Sequence, residues 1–518
     1  MPDRDLSCGP QPANAPSGNK VEAAWPEEKE FKPGRSFWLA LVPIMVLAFM
    51  VSLDGTSVSV ALPLLSDDLG GTAIEAFWTG TSFLLASGVL QVPVGALSDI
   101  FGRMPVLFCS TLLFLIGIIL SAIAQDFTLV FVGRAIQGVG GGGVILLNDL
   151  VITDLVPMRQ RGQYFGIIGG ASWRWIFWIN VPVALVLIPF TLRLSRPPGS
   201  ISKKLKKFDW FGSIFFVGAT TSFLVSLTWG NVEFPWTSWR TLFPLILGAV
   251  AIILFGVIER YWVRNPILNV AHLANYEMAY SLVATAINSA IAVQGFDPIL
   301  SGVALLPATL TVAPLSIVAG VVITKRGEYR WVTWIGWAIS TLGLGIMILL
   351  DVGTSDAKWF FITFTMGIGL GLLYTSLAII NQAAAAEGLL TFAISMFIFF
   401  RMLGQCLGVA ISGVTFQNQM RINLLHTQTL TDKADEYSRD ASSLVQILKT
   451  MPDGLVKTEL VQSYANSLKT VWAVMTALSG AALIGSFFIK HINLDRNHTG
   501  EMCIRQEEKQ SDPSATIE

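Results

Sequence analysis

The chain has 518 residues, of which 53% are hydrophobic and 13% charged, with a formal net charge of −1. Soluble domains carry roughly a quarter charged residues, so this chain has too little charge to cover a water-facing surface, and its near-neutral balance without a basic stripe excludes a nucleic-acid-binding protein. Cys8, Cys109, Cys406 and Cys503 stand singly and the four histidines form no cluster, which excludes a disulfide framework and a zinc site; neither metal nor cofactor is expected.

Residues 1–34 are polar, rich in Pro, Glu and Lys, and lack the apolar stretch of a signal peptide. They are expected to form a disordered cytoplasmic tail, as is the polar stretch 496–518. Between them, apolar runs of the length that crosses about 30 Å of hydrocarbon recur at 37–60, 77–97, 106–124, 127–152, 175–192, 210–229, 242–261, 302–323, 331–350, 359–380, 389–415 and 471–489, with a weaker run at 278–293. The pattern predicts an all-α polytopic membrane protein.

Basic residues fall in alternate connections: Arg103; Arg159 and Arg161; Arg196 with Lys203, Lys204, Lys206 and Lys207; Arg260 and Arg264; Lys325, Arg326 and Arg330. The opposite connections hold almost none, so the basic set is expected on the cytoplasmic side. The polar segment 417–469 is then expected as an extracellular loop. Gly95 to Arg103 follows the second run, and Gly320 to Arg330 occupies a comparable place in the second half. Both pair glycines seven apart with a basic cluster, the internal symmetry expected of two pseudo-symmetric bundles.

Four features carry candidate chemistry. Asp54 lies within the first run and Arg134 within the fourth, and intramembrane charges cost about 2.5–3.5 kcal/mol on insertion scales unless they are used. Both fall in the outer half, where they could share a proton network; otherwise they reach the outer interface. Gly95-x-x-x-Asp99-x-x-Gly102-Arg103 joins two long helices by a tight turn, for which Gly102 supplies backbone freedom. Arg401 is a further buried cation, suited to function or to packing. Gly138-Val139-Gly140-Gly141-Gly142-Gly143 lacks the Lys-Ser/Thr and the strand of a phosphate loop. Close helix packing in lipid is the better reading of these glycines. No ATP site is visible, so a gradient is expected to supply energy.

At these residues the chain resembles the major facilitator superfamily, in its fungal fourteen-span drug:proton antiporter branch. Gly95 to Arg103 resembles the superfamily's loop signature, and Leu53-Asp54-Gly55-Thr56-Ser57-Val58-Ser59-Val60-Ala61-Leu62-Pro63 is similar to the branch's first-span motif. Arg134-x-x-Gln137-Gly138 is similar to its fourth-span motif. The segments 172–182, 227–230 and 301–307 are also similar to that branch. The resemblance implies two helical bundles, an N-terminal one at 35–195 and a C-terminal one at 271–495. A cytoplasmic linker and two extra spans would lie between them at 196–270. It implies proton-coupled efflux of a small apolar compound such as a toxin or drug, by a monomer in the plasma membrane or the vacuolar membrane, and not an enzyme. It nominates Asp54, Arg134, Gln137 and Arg401 for proton coupling and transport, with Gly95, Asp99, Gly102 and Arg103 as a gating loop. A siderophore or amino-acid transporter of the same fold, a non-transporting receptor and an inactive truncated paralogue are the alternatives.

Two departures stand out. The branch's fifth span is Gly-Pro-rich, whereas here only twelve residues separate Arg161 from Arg174, roughly 18 Å of helix. The run at 278–293, in the place of the ninth span, is also short.

Overall fold

The computed structural model describes residues 43–51 apart from 49, 69, 73–155, 208–230, 234–263, 267–292 apart from 269, 306–427 apart from 387, 430–439, and 451–494 apart from 453 and 493. Residues 43–48, 50 and 51 are helical. The long helices are α1 (Ala73–Phe101), α2 (Arg103–Ala122), α3 (Phe127–Leu155), α4 (Trp210–Trp229), α5 (Trp239–Tyr261), α6 (Tyr276–Ala292), α7 (Leu306–Arg326), α8 (Arg330–Met347), α9 (Asp356–Ala384), α10 (Leu390–Leu425) and α11 (Leu455–Ser486). Among the described residues, eight helices are long and apolar enough to cross a membrane. A helix satisfies its own backbone hydrogen bonds, which is what hydrocarbon demands.

The helices form one bundle from α1 to α3 and a second from α6 to α11, with α4 and α5 over the seam. Glycine sets the spacing inside the first bundle. A Cβ on Gly138 would stand 2.4 Å from the carbonyl oxygen of Phe83 in α1, one on Gly140 would stand 2.2 Å from the amide of Phe114 in α2, and one on Gly142 would stand 2.5 Å from the carbonyl oxygen of Ser87. No side chain fits, so the glycine run is a packing surface on which α3 lies against both neighbours, as small residues allow in lipid. α4 closes on the seam through Leu224, buried with Leu85, Val89 and Cys406, and through Phe216, whose ring is 5.5 Å from that of Phe399 in α10. α5 turns Phe243, Ile246, Val250, Ile253 and Val257 outward, a continuous apolar face that lipid covers.

Side-chain contacts give each helix its direction. Trp78 at the start of α1 packs edge-on against Trp229 at the end of α4, with ring centroids 6.2 Å apart. α4 therefore starts on the face where α1 ends, the basic, inner face of Arg103. α5 returns to it, since Glu259 near its end lies beside Gly212 near the start of α4. α6 leaves it again parallel to α10, with Ala286 beside Gly404 and Ala290 beside Gly408. The short run read at 278–293 is thus a 17-residue helix, roughly 26 Å long, that holds its place in the order of crossings.

Part of the stretch 417–469, expected as a loop, is helical. α10 continues to Leu425 and α11 begins at Leu455, with 36 and 32 residues, or roughly 54 and 48 Å. Both exceed the hydrocarbon, and their outer ends bury Phe416, Met420, Leu424, Tyr437 and Leu460 in a separate small core. Asp351, in the turn between α8 and α9, ties that projection down. It accepts from Gln462 Nε2 at 2.9 Å and lies 3.5 Å from Lys469 Nζ. The Gln462 bond, the backbone N–H of Val352 and the Lys469 charge hold its carboxyl below the usual carboxylate range.

Candidate functional site

The residues expected to form a gating loop meet where α1, α2, α3 and α10 converge, at the end of α1 that the basic residues are expected to place inside. Gly102 links α1 to α2 at φ 92° and ψ 155°, a conformation open to glycine and closed to bulky residues. Its amide donates to the carbonyl oxygen of Ser98 at 2.9 Å. The sharp turn delivers the next side chain, Arg103, into the protein, where it is 5% exposed. Its Nε donates to Asp154 Oδ2 at 3.2 Å, and its Nη1 donates to Ser98 Oγ at 2.8 Å and also to Asp99 Oδ1. Its Nη2 donates to Thr391 Oγ1 at 3.0 Å, and Thr391 in turn donates to Asp99 Oδ1 at 2.7 Å.

Thr391 is in the first turn of α10, so this cluster fastens the first bundle to the second. Gly95 lets the helices come together there, since a Cβ on it would stand 2.2 Å from Ser395 Oγ. A guanidinium in a fixed fork suits such a junction, because it holds several acceptors in one plane. Neither Asp154 nor Thr391 was among the residues nominated from the sequence.

Gly102→Val forces a β-branched residue to positive φ, at about 1–3 kcal/mol of strain. Transport is expected to slow, while the compounds that compete for it stay the same. Initial rates and competition profiles on membrane vesicles check this, and kinetics identical to the parent would make the turn a plain connection.

Arg134 and Gln137 sit together in α3, 2% and 1% exposed. Arg134 Nε donates to the carbonyl oxygen of Thr79 at 3.2 Å, and its Nη1 donates to Gln137 Oε1 at 2.8 Å. Its guanidinium carbon lies 4.5 Å from the centroid of the Phe83 ring, a cation–π contact that offsets part of its desolvation. These bonds tie α3 to α1 within one bundle. Asp54, its expected companion, lies outside the described residues.

Arg401 is elsewhere, at the seam. Its Nη1 donates to Tyr374 Oη of α9 at 2.6 Å. Tyr374 in turn lines a cavity shared with Asp149 of α3, Asn381, Gln382, Ile394 and Phe397. No direct ion pair joins Asp149 to Arg401 among the described residues. Asp149 was passed over in the sequence, although an acid inside an apolar run is the same signal that singled out Asp54.

A family model described as Major Facilitator Superfamily matches residues 44–409. The "MFS transporter L2" of Phoma sp. is 42% identical over 531 residues, covering 96% of this chain and 89% of that protein. The "Efflux pump FUS6" of Gibberella fujikuroi is 31% identical over 546 residues, covering 97% of this chain and 98% of its own. The "Acurin A biosynthesis cluster MFS-type transporter" of Aspergillus aculeatus is 33% identical, covering 90% and 92% respectively. Alignments of 531 and 546 positions exceed the 518 residues of this chain, so these relatives carry internal residues without a counterpart here.

Proposed function

Because the chain belongs to the major facilitator superfamily, we propose that it exports a small apolar compound, such as a fungal secondary metabolite or toxin, across the plasma membrane in exchange for protons. The observation that carries this reading is the inner-face cluster, in which Arg103 and Asp99 of the first bundle bond Thr391 of the second. A junction of a few charge-assisted bonds between two rigid bundles can be made and broken, which a transporter needs if its cavity is to open to one side at a time. The direction of transport leans on relatives named as efflux pumps.

Asp54, Arg134 and Gln137 are proposed to couple protons to that exchange, with Arg401 bonded to the cavity-lining Tyr374. An acid within an apolar run is costly unless used, and Arg134 supplies a buried cation 2% exposed. In a host lacking its own exporters, Asp54→Asn should reach the membrane at parental levels yet fail to lower accumulation of a panel of apolar toxins. Parental efflux by well-expressed Asp54→Asn would contradict the assignment.

A further inference from the structure

We propose that Asp149 is a proton-binding residue of the transport cycle, its charge deciding whether α3 is drawn to α9 and α10 across the cavity. The inference rests on the proton-driven reading above and adds to it a residue at the seam between the bundles.

The geometry isolates this carboxylate for such work. Asp149 lies five residues before Asp154, roughly 7.5 Å further from the inner face along α3. It is beyond the reach of the Arg103 cluster, yet on the same side of the helix as the second bundle. Its Oδ1 accepts from Asn148 Nδ2 at 3.2 Å, a bond within α3 that does nothing to join the bundles. The amide of Asn381 is already committed, since its Nδ2 donates to the carbonyl oxygen of Ala393 at 2.7 Å and its Oδ1 accepts from Ser281 at 3.3 Å.

From the second bundle, Tyr374 of α9 shares the cavity with Asp149, and Arg401 of α10 is bonded to Tyr374. From α1 and α2 come Asp99 and Arg103, at the inner end with Asp154, and Arg134 is fifteen residues nearer the start of α3. Asp149 is therefore a carboxylate on one bundle, across a cavity from the tyrosine that holds a cation of the other, with no direct ion pair to lock it among the described residues. In low-dielectric surroundings a charge pair of this kind attracts over several ångströms, and the attraction ends when the acid is neutral.

The step is simple in its balance. One proton from outer water adds to a carboxylate oxygen of Asp149, the attraction to Arg401 is lost, and the inner half is free to part. The same proton then leaves to inner water, the charge returns, and the inner half closes again. One proton crosses inward, and no bond other than O–H forms or breaks.

The test needs no known substrate. Purified full-length protein in lipid nanodiscs is titrated while infrared difference spectra record carboxyl protonation. A band that titrates in the parent is expected to be lost in Asp149→Asn and retained, displaced, in Asp149→Glu. A parental titration in Asp149→Asn overturns the proposal. In proteoliposomes a pH gradient should accelerate movement of the apolar dye rhodamine 6G in the parent and in Asp149→Glu, with that acceleration lost in Asp149→Asn. Gradient-driven movement persisting in Asp149→Asn refutes the role of Asp149 alone. A parent protein that moves the dye without regard to the gradient refutes the proton-driven reading itself.

Discussion

Arg103→Ala is expected to reduce export at least about 100-fold while leaving the protein in the membrane. The side chain is 5% exposed and bonds Asp154, Ser98, Asp99 and Thr391. Removing one member of a buried ion pair costs about 3–5 kcal/mol, and each 1.4 kcal/mol is about tenfold in a population or a rate. The loss falls on the inner-closed arrangement, because Thr391 belongs to the other bundle. Ser395, which is 2% exposed and abuts Gly95, reports on it. A cysteine at 395 should resist a membrane-impermeant thiol reagent applied to the inner face of the parent and react readily in Arg103→Ala. Arg103→Lys keeps the charge but not the fork, and should fall between the two. An unreactive cysteine together with undiminished export in Arg103→Ala would remove this cluster from the mechanism.

The second large effect concerns residues 156–209. The inner face holds the end of α3, with Asp154 on Arg103, and also the start of α4, whose far end meets Trp78. Two helix ends on one side of a membrane are joined through an even number of crossings. Only the run 175–192 is long and apolar enough, and the twelve residues between Arg161 and Arg174 span roughly 18 Å of helix against about 30 Å of hydrocarbon. Moving the lysines at 203–207 outward instead would oppose the positive-inside preference. The relatives carry internal residues without a counterpart here.

Inserting the Phoma relative's corresponding residues between 170 and 172 should therefore raise export at least about tenfold, equivalent to roughly 1.4 kcal/mol in a rate-limiting step. Sequencing transcripts across those codons would show whether the cell makes the longer form. Equal export from both forms would mean that the fifth span matters little here.

Much of this was legible because hydropathy reads lipid contact directly. The runs at 77–97, 127–152, 210–229 and 242–261 are close to α1, α3, α4 and α5. The outer parts of α10 and α11 were not, because Gln417, Asn418, Gln419 and Arg421 are polar while still helical. Hydropathy marks where the membrane stops, not where the helix does.

The turn at Gly102 could be read from its glycine and its flanking charges. Its partners Asp154 and Thr391 could not, lying 51 and 288 residues from Arg103 with no local pattern to flag them. Arg134 and Gln137 were legible as a pair because i and i+3 share a helix face. Arg401 was visible as a buried cation, but its partner Tyr374 is 27 residues away on another helix and depends on how α9 and α10 pack.

The central claim, that protons drive this carrier, is tested most directly in proteoliposomes containing the full chain and a trapped pH-sensitive dye. With a pH gradient imposed, adding rhodamine 6G should start proton movement opposite to that of the probe, and a proton ionophore should abolish net probe accumulation. Probe accumulation that survives collapse of the gradient, or that proceeds with no proton movement above that of protein-free vesicles, would contradict it.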